Sequence, residues 1–279
     1  MYGEFFTPLV YYAHMGVCTM KVIMTSSIGG AIKENGKRLP APLFWYNGFL
    51  EKLQSEWVDH SKIMMIAASP DDQEKNDEVC ECLKQSFLMS GLSVSQMEIC
   101  DHRNVHLVNK IGEMDVILLA GGHVPTQNAF FAEIGLKEKL ADFDGLLIAW
   151  SAGSMNCADI VYAGPELDGE AIDPDYKRWI PGLGITDVNI LPHFQRLKDE
   201  WLDGFRLIED ITFADSMGHE IIAINDGTYI TIADGVQKLF GEAYRIKDGT
   251  IEMICQHGRS MIFSCKVEAT LGSGTRKLK

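Results

Sequence analysis

Within the ten residues Gly-Leu-Leu-Ile-Ala-Trp-Ser-Ala-Gly-Ser, positions 145–154, an apolar run of strand length stops at a serine hemmed in by small side chains. No other feature constrains the chain as much. Leu146, Leu147 and Ile148 show no polar alternation, so they read as a strand covered on both faces, as in parallel sheets. The small residues that follow permit a sharp turn directly into a helix, and Ser151 then sits at an elbow that lifts its hydroxyl above the sheet in a strained backbone conformation. The motif is A-x-S-x-G, with Ala149 where glycine is usual and Gly153 closing it. The N–H of Ala152, at the start of the next helix, would point at an oxyanion formed on a carbonyl attacked by Ser151. Small-residue turns also occur without chemistry, so the reading depends on partners elsewhere in the chain.

The segments around this turn predict the architecture. Strands are expected at 21–25, 62–68, 94–99, 115–120 and 145–150. Helices are expected over 43–58, where Leu43, Tyr46, Leu50, Leu53 and Trp57 recur at helical spacing, and from a Ser69 or Asp71 cap to about residue 90. Further helices fall at 104–111 and 126–140, and the polar stretch 26–42 reads as a loop. Strands alternating with helices at this spacing indicate an α/β fold, three-layered and doubly wound, with a mostly parallel sheet. Beyond Ser151 come a loop over 164–181, a strand at 188–191, a helix carrying Trp201, Phe205 and Leu207, and a strand at 221–224. Strands at 228–232, 243–246 and 250–255, with Asp-Gly turns at 234–235 and 248–249, predict a small antiparallel C-terminal extension. Residues 1–19 read as a loosely ordered leader, 20–269 as one α/β domain, and 270–279 as a flexible tail.

Composition excludes several function classes. The formal charge of −14, with basic residues scattered and outnumbered, argues against nucleic acid. Seven cysteines lie in no framework spacing, and Cys80-x-Cys82 lacks the two-residue gap of metal or redox motifs, so free thiols are expected. No apolar run has the length of a membrane span, and the first nineteen residues make no secretory signal, so a cytoplasmic chain is predicted. No metal cluster is visible. The stretch Ser26-Ser27-Ile28-Gly29-Gly30 matches neither nucleotide fingerprint, so no cofactor is expected. The chain is expected to act as a monomer or a homodimer on a short peptide substrate.

A serine nucleophile needs a base and a group that orients the base. His193 follows a short apolar strand at the same implied rim as Ser151 and is the candidate base. Asp226, in Ile-Asn-Asp-Gly-Thr, ends the next strand and is the candidate orienting carboxylate, with Glu166, Asp168 and Glu170 of an acidic loop as rivals. The pair Gly121-Gly122 would bring a second backbone N–H to the oxyanion beside that of Ala152. His123, Glu166 and Asp168 are candidate substrate contacts, and Lys177 and Arg178 offer cations to a substrate carboxylate. The acidic loop favours an α-amino group over a carboxylate, which points to short peptides with a free amino end.

Leu-Leu-Ala-Gly-Gly before the elbow, Trp-Ser-Ala-Gly-Ser at it, and Pro-Gly-Leu-Gly with Leu-Pro-His-Phe after it resemble the aspartyl dipeptidase (peptidase E) and cyanophycinase family of serine peptidases. The resemblance implies a fold related to class I glutaminases. It further implies Ser151 as nucleophile, His193 as base, Gly122 and Ala152 as oxyanion donors, and an acid near Asp226. The activity it implies is hydrolysis of short peptides through an acyl-enzyme, with Asp-Xaa, isoaspartyl and β-Asp-Arg dipeptides as the substrate series. His123 after the glycine pair and the long loop 164–179 depart from the family pattern. Two other readings stand beside this one: an α/β-hydrolase using Ser151, Asp226 and His257, and a non-catalytic binding protein on the same fold.

Overall fold

The computed structural model describes residues 20–263, so the expected leader 1–19 and tail 270–279 lie outside the described residues. Eight strands form the main sheet, numbered here in chain order: β1 Lys21–Thr25, β2 Ser61–Ile66, β3 Val94–Cys100, β4 Val116–Leu119, β5 Leu146–Trp150, β6 Tyr229–Ala233, β7 Val236–Phe240 and β8 Ser260–Phe263. They lie side by side in the order β8-β7-β6-β1-β5-β4-β2-β3. The five from β1 to β3 run parallel, and β6, β7 and β8 add antiparallel to the β1 edge. The fold is therefore α/β with a mostly parallel central sheet. The unbroken apolar runs belong to its middle. All four residues of β4 are buried, as are Leu146 to Ala149 of β5, because helices and loops cover both faces of these strands.

The sheet order puts the site together. In register, Thr25 of β1 pairs with Trp150 of β5, and Ala149 of β5 pairs with Leu119 of β4. Ser26, Ser151 and Gly121 therefore leave three neighbouring strands at their carboxyl ends, where open α/β sheets bind ligands. A second sheet of four strands brings the other residues. Its strands Asn189–Leu191 and Glu220–Ile224 are parallel neighbours, so His193 and Asp226 also emerge side by side.

Several expectations are corrected. Residues 26–42 are not a loop: Gly29–Glu34 pairs antiparallel with Lys37–Leu43, turned by Asn35 (φ 50°) and Gly36 (φ 78°). Asn-Gly is the residue pair such a hairpin turn demands. The first helix spans Phe49–Glu56 only, because Gly48 ahead of it is left-handed. The next, Gln73–Met89, is capped by Asp72, whose carboxylate accepts from Lys75 N–H, rather than by Ser69 or Asp71. The expected helix 126–140 breaks at Gly135 into Val124–Glu133 and Leu136–Leu140. Residues 201–206 are not helical, and only Leu207 of the three expected positions enters a helical turn, the π-helix Leu207–Thr212. Trp201–Leu202 and Phe205–Arg206 form a small hairpin, since Asp203 and Gly204 both take positive φ and turn the chain. The antiparallel C-terminal strands are divided between sheets: β6 to β8 extend the main one, while Ala243–Lys247 and Thr250–Cys255 complete the second. Strands β7 and β8 had no counterpart in the expected set.

No helix among the described residues is long and apolar enough to cross a membrane. Cys80, Cys82, Cys100, Cys157 and Cys255 are free thiols, and burial pushes those of Cys80 and Cys100 up to about 11.

Candidate active site

Ser151 is held at φ 52°, ψ −121°, a backbone region that side chains other than glycine rarely occupy, between β5 and the short helix Ala152–Met155. Three contacts stabilise this strain. Ser151 N–H donates to Thr25 O at 3.0 Å. The Ser154 hydroxyl, fully buried, lies 2.8 Å from Thr25 O and 2.9 Å from Ala149 O and accepts from Thr25 N–H, tying β1 to β5 under the turn. Gly153 sits against β4 so closely that a Cβ there would overlap Leu119 O. Glycine is thus required by the backbone approach. Gly153→Ala is expected to cost about 1–3 kcal/mol of stability through overpacking, measured as a shift of the urea midpoint. An unchanged midpoint would show that β4 and the elbow can separate freely.

His193 takes a left-handed conformation (φ 58°, ψ 29°) ahead of the short helix Phe194–Leu197, which turns its ring back over the rim. Its Nε2 lies 3.1 Å from Ser151 Oγ and its Nδ1 lies 2.7 Å from Asp226 Oδ1. With the proton on Nδ1 donated to the carboxylate, Nε2 is free to accept from the serine hydroxyl. Ser26, fully buried, joins the line: its hydroxyl donates to Asp226 Oδ1 at 2.5 Å and accepts from His193 N–H at 2.8 Å. Asp226 N–H in turn donates to Gln195 Oε1 at 3.0 Å. Burial works to raise the Asp226 carboxyl, but hydrogen bonds from His193 and Ser26 outweigh it and hold the group below its ordinary value. Asp226 is therefore ionised at neutral pH, as a group orienting a histidine must be.

Gly121 and Gly122 border the same point. A Cβ on Gly121 would meet Trp150 Nε1 at 2.7 Å and Ser151 Cβ at 3.0 Å, and one on Gly122 would meet Ala68 Cβ at 2.6 Å. Among the described residues, Gly122 N–H donates to no backbone carbonyl. Ala152 N–H lies at the first position of its helix, where the helix supplies no acceptor. Both donors are free for an oxyanion.

A cavity of about 270 Å³ opens beside Ser151 and His193, walled by apolar groups such as Met155, Tyr162, Leu191 and Trp201. Glu166 stands in its wall. It keeps access to solvent through the mouth, yet the protein around it raises its carboxyl to about 7, an effect of burial reinforced by Glu170 and opposed by Val124 N–H and Arg196. The other loop residues are placed elsewhere. His123 bonds Thr126 Oγ1 at 2.8 Å and Glu170 Oε1 at 2.9 Å, and Glu170 Oε2 accepts from the N–H groups of Glu166 and Leu167. His123 and Glu170 thus pin the acidic loop. Asp168 is exposed and outside the cavity lining. Arg178 is occupied by Asp215 at 3.5 Å and Ala171 O at 3.1 Å, and neither it nor Lys177 lines the cavity; the cation that does, Arg196, is paired with Glu200 at 3.0 Å. His257 is exposed on the turn after Cys255 and bonds neither Ser151 nor Asp226, which removes the geometric basis of the serine, acid, histidine order.

The family model for peptidase family S51 matches residues 51–240, a span that holds the elbow, His193 and Asp226. The chain belongs to peptidase family S51. Family S51 membership makes it a peptidase, a hydrolase of the serine class, and accounts for the peptidase E resemblance of its motifs. Two solved structures share the S51 chain's fold. One is a peptidase from an acI-B1 Actinobacterium, 14% identical with TM-score 0.60, covering 88% of this chain and 97% of that one. The other, from Listeria monocytogenes EGD-e, is described as a peptidase E protein, 15% identical with TM-score 0.52, covering 85% and 100%. No curated protein matches the S51 chain. Ser26 and the hairpin after it precede the S51 match. Apart from the spacing of Gln195 two residues after His193, nothing in the residue pattern marks Ser26 or Gln195 as a partner of His193 and Asp226.

Proposed function

We propose that this S51 peptidase hydrolyses short peptides with a free amino end through an acyl-enzyme on Ser151. The observation that carries the reading is the continuous line Ser151 Oγ, His193 Nε2, His193 Nδ1, Asp226 Oδ1, with links of 3.1 and 2.7 Å, at a strained elbow. Ser151 Oγ attacks the carbonyl carbon as His193 Nε2 takes its proton. The oxyanion is met by the N–H groups of Gly122 and Ala152, and the imidazolium passes its proton to the leaving amine. Water, deprotonated by the same His193, then hydrolyses the ester. Asp226, fixed by Ser26 and Gln195, keeps the imidazole in the required tautomer. Among rivals, a binding protein without activity has no need of this line or of the strain at Ser151.

A fluorophosphonate probe tests the nucleophile, because only an activated serine reacts with it. Stoichiometric labelling of the native chain is expected, and absence of labelling would overturn the reading. The substrate series is Asp-Xaa, isoaspartyl and β-Asp-Arg dipeptides against Ala-Leu. The family resemblance favours the aspartyl members, whereas the apolar cavity with Glu166 in its wall favours an uncharged side chain beside a free α-amino group. We take Glu166 to pair with that amino group. Its carboxyl ionises at about 7, so KM for a dipeptide is expected to fall as pH rises through that value. Glu166→Gln should remove the pH dependence and raise KM about tenfold at neutral pH, with kcat little changed. A KM that is indifferent to both changes would release Glu166 from this role.

A further inference from the structure

A second cavity, of about 240 Å³, is bordered by Ser27, Gly29, Arg38, Lys75, Gly121 and Trp150, the last of these the residue before Ser151. Apolar Ile28, Phe44, Val79 and Leu83 also line it, and its two charged groups are both cations. Arg38 lies on the Lys37–Leu43 strand of the hairpin, and its guanidinium makes no ion pair or hydrogen bond among the described residues. Its Nε is buried and without a partner. The Glu78 carboxylate accepts from the Arg38 backbone N–H at 3.1 Å and not from its side chain. Lys75, on the helix Gln73–Met89, likewise has no ion pair among the described residues.

Two unpaired cations facing one cavity are unusual in a chain of formal charge −14, where Arg103, Arg206 and Arg245 all hold carboxylates. A buried guanidinium N–H left unsatisfied carries a free-energy cost that a native structure tolerates where a ligand completes it. The ligand that a guanidinium fork with a neighbouring ammonium completes best is a carboxylate, which Arg binds through two parallel N–H groups. Gly121 borders both this cavity and the reacting centre, since a Cβ placed on it would stand 2.7 Å from Trp150 Nε1 and 3.0 Å from Ser151 Cβ.

We propose that Arg38, assisted by Lys75, binds a carboxylate of the substrate in this cavity. The inference rests on Ser151 being the nucleophile, and it deepens that reading by adding a charge requirement at the second cavity. With Glu166 lining one cavity and Arg38 the other, the site selects zwitterionic short peptides over long chains, whose ends cannot occupy both. The carboxylate comes either from the peptide C-terminus or from an aspartyl side chain, and these two sources separate experimentally.

The test is calorimetric titration of the full-length Ser151→Ala chain, in which binding is read without turnover, with Ala-Leu, Ala-Leu amide, Asp-Leu and Asp-Leu amide. If the C-terminus is bound, amidation weakens binding about tenfold or more, and adding Arg38→Gln abolishes the difference between acid and amide. If the side chain is bound, Arg38→Gln abolishes the difference between Asp and Ala instead. Lys75→Gln is expected to act in the same direction with a smaller effect, and serves if Arg38→Gln disturbs the hairpin, which urea unfolding would reveal. Equal weakening of all four peptides by Arg38→Gln, or no carboxylate dependence in the Ser151→Ala chain itself, would overturn the proposal. Fluorophosphonate labelling of the wild type reports on the nucleophile independently of either result.

Discussion

The Ser151→Ala chain is expected to unfold at the wild-type urea concentration and to hydrolyse peptides with kcat/KM lower by a factor on the order of 10⁴ or more. The size follows from what is removed. Alanine keeps the backbone, including the Ser151 N–H bond to Thr25 O and the clasp of Ser154, so the elbow persists. What disappears is the atom that forms the covalent bond, leaving only the two N–H donors and the cavity to favour attack by water. Fluorophosphonate labelling should vanish with it. Activity within tenfold of wild type would mean that another group attacks, and the acyl-enzyme mechanism would have to be abandoned. A large fall in stability would instead indicate that the serine hydroxyl, 3.1 Å from His193, was holding the rim together.

His193→Ala is expected to be nearly as damaging as loss of the serine, because nucleophile and base act as one unit and their effects do not add. The double variant Ser151→Ala, His193→Ala should therefore be no slower than either single one. His257→Ala should leave most activity, since that side chain is exposed and bonds neither Ser151 nor Asp226. Asp226→Asn retains the shape of the site but offers Nδ1 a neutral partner that can also donate, so the wrong tautomer becomes accessible. A loss on the order of 10⁴ has precedent in other serine peptidases for this change. Glu166→Gln and Asp168→Asn should leave kcat almost untouched by comparison. If Asp226→Asn proved mild while Glu166→Gln stopped turnover, the orienting acid would belong to the loop, and the 2.7 Å contact of Asp226 would be structural.

Much of the site was legible because its chemistry depends on local patterns. An apolar run ending in Trp-Ser-Ala-Gly-Ser predicts a buried strand, a sharp turn and an exposed hydroxyl, and the backbone at Ser151 has the strain that this turn entails. His193 and Asp226 could be nominated because each ends a short apolar strand. The fold class followed from the alternation of strands and helices. The errors have local causes as well. Helical periodicity at Trp201, Phe205 and Leu207 was interrupted by Asp203-Gly204, and the polar composition of 26–42 concealed an Asn-Gly hairpin whose strands pack on the helix Gln73–Met89 rather than pairing with the main sheet.

The sequence by itself determined which residues could carry chemistry and which strand ends would present them, because burial on both faces and turn formation are decided by neighbours a few positions apart. Only the tertiary structure decided which of these ends meet. Strand order and register place Ser26 next to Ser151, the second sheet sets His193 beside Asp226, and neither pairing leaves a trace in residue spacing, since the hydrogen bonds that fix them join positions 33 to 200 residues apart. The same holds for the two walls of the site. Glu166 and Arg38 read identically in sequence, as charged residues in polar segments. One became a carboxyl raised to about 7 and the other a guanidinium with a buried, unpartnered Nε only through the groups that packing set around them.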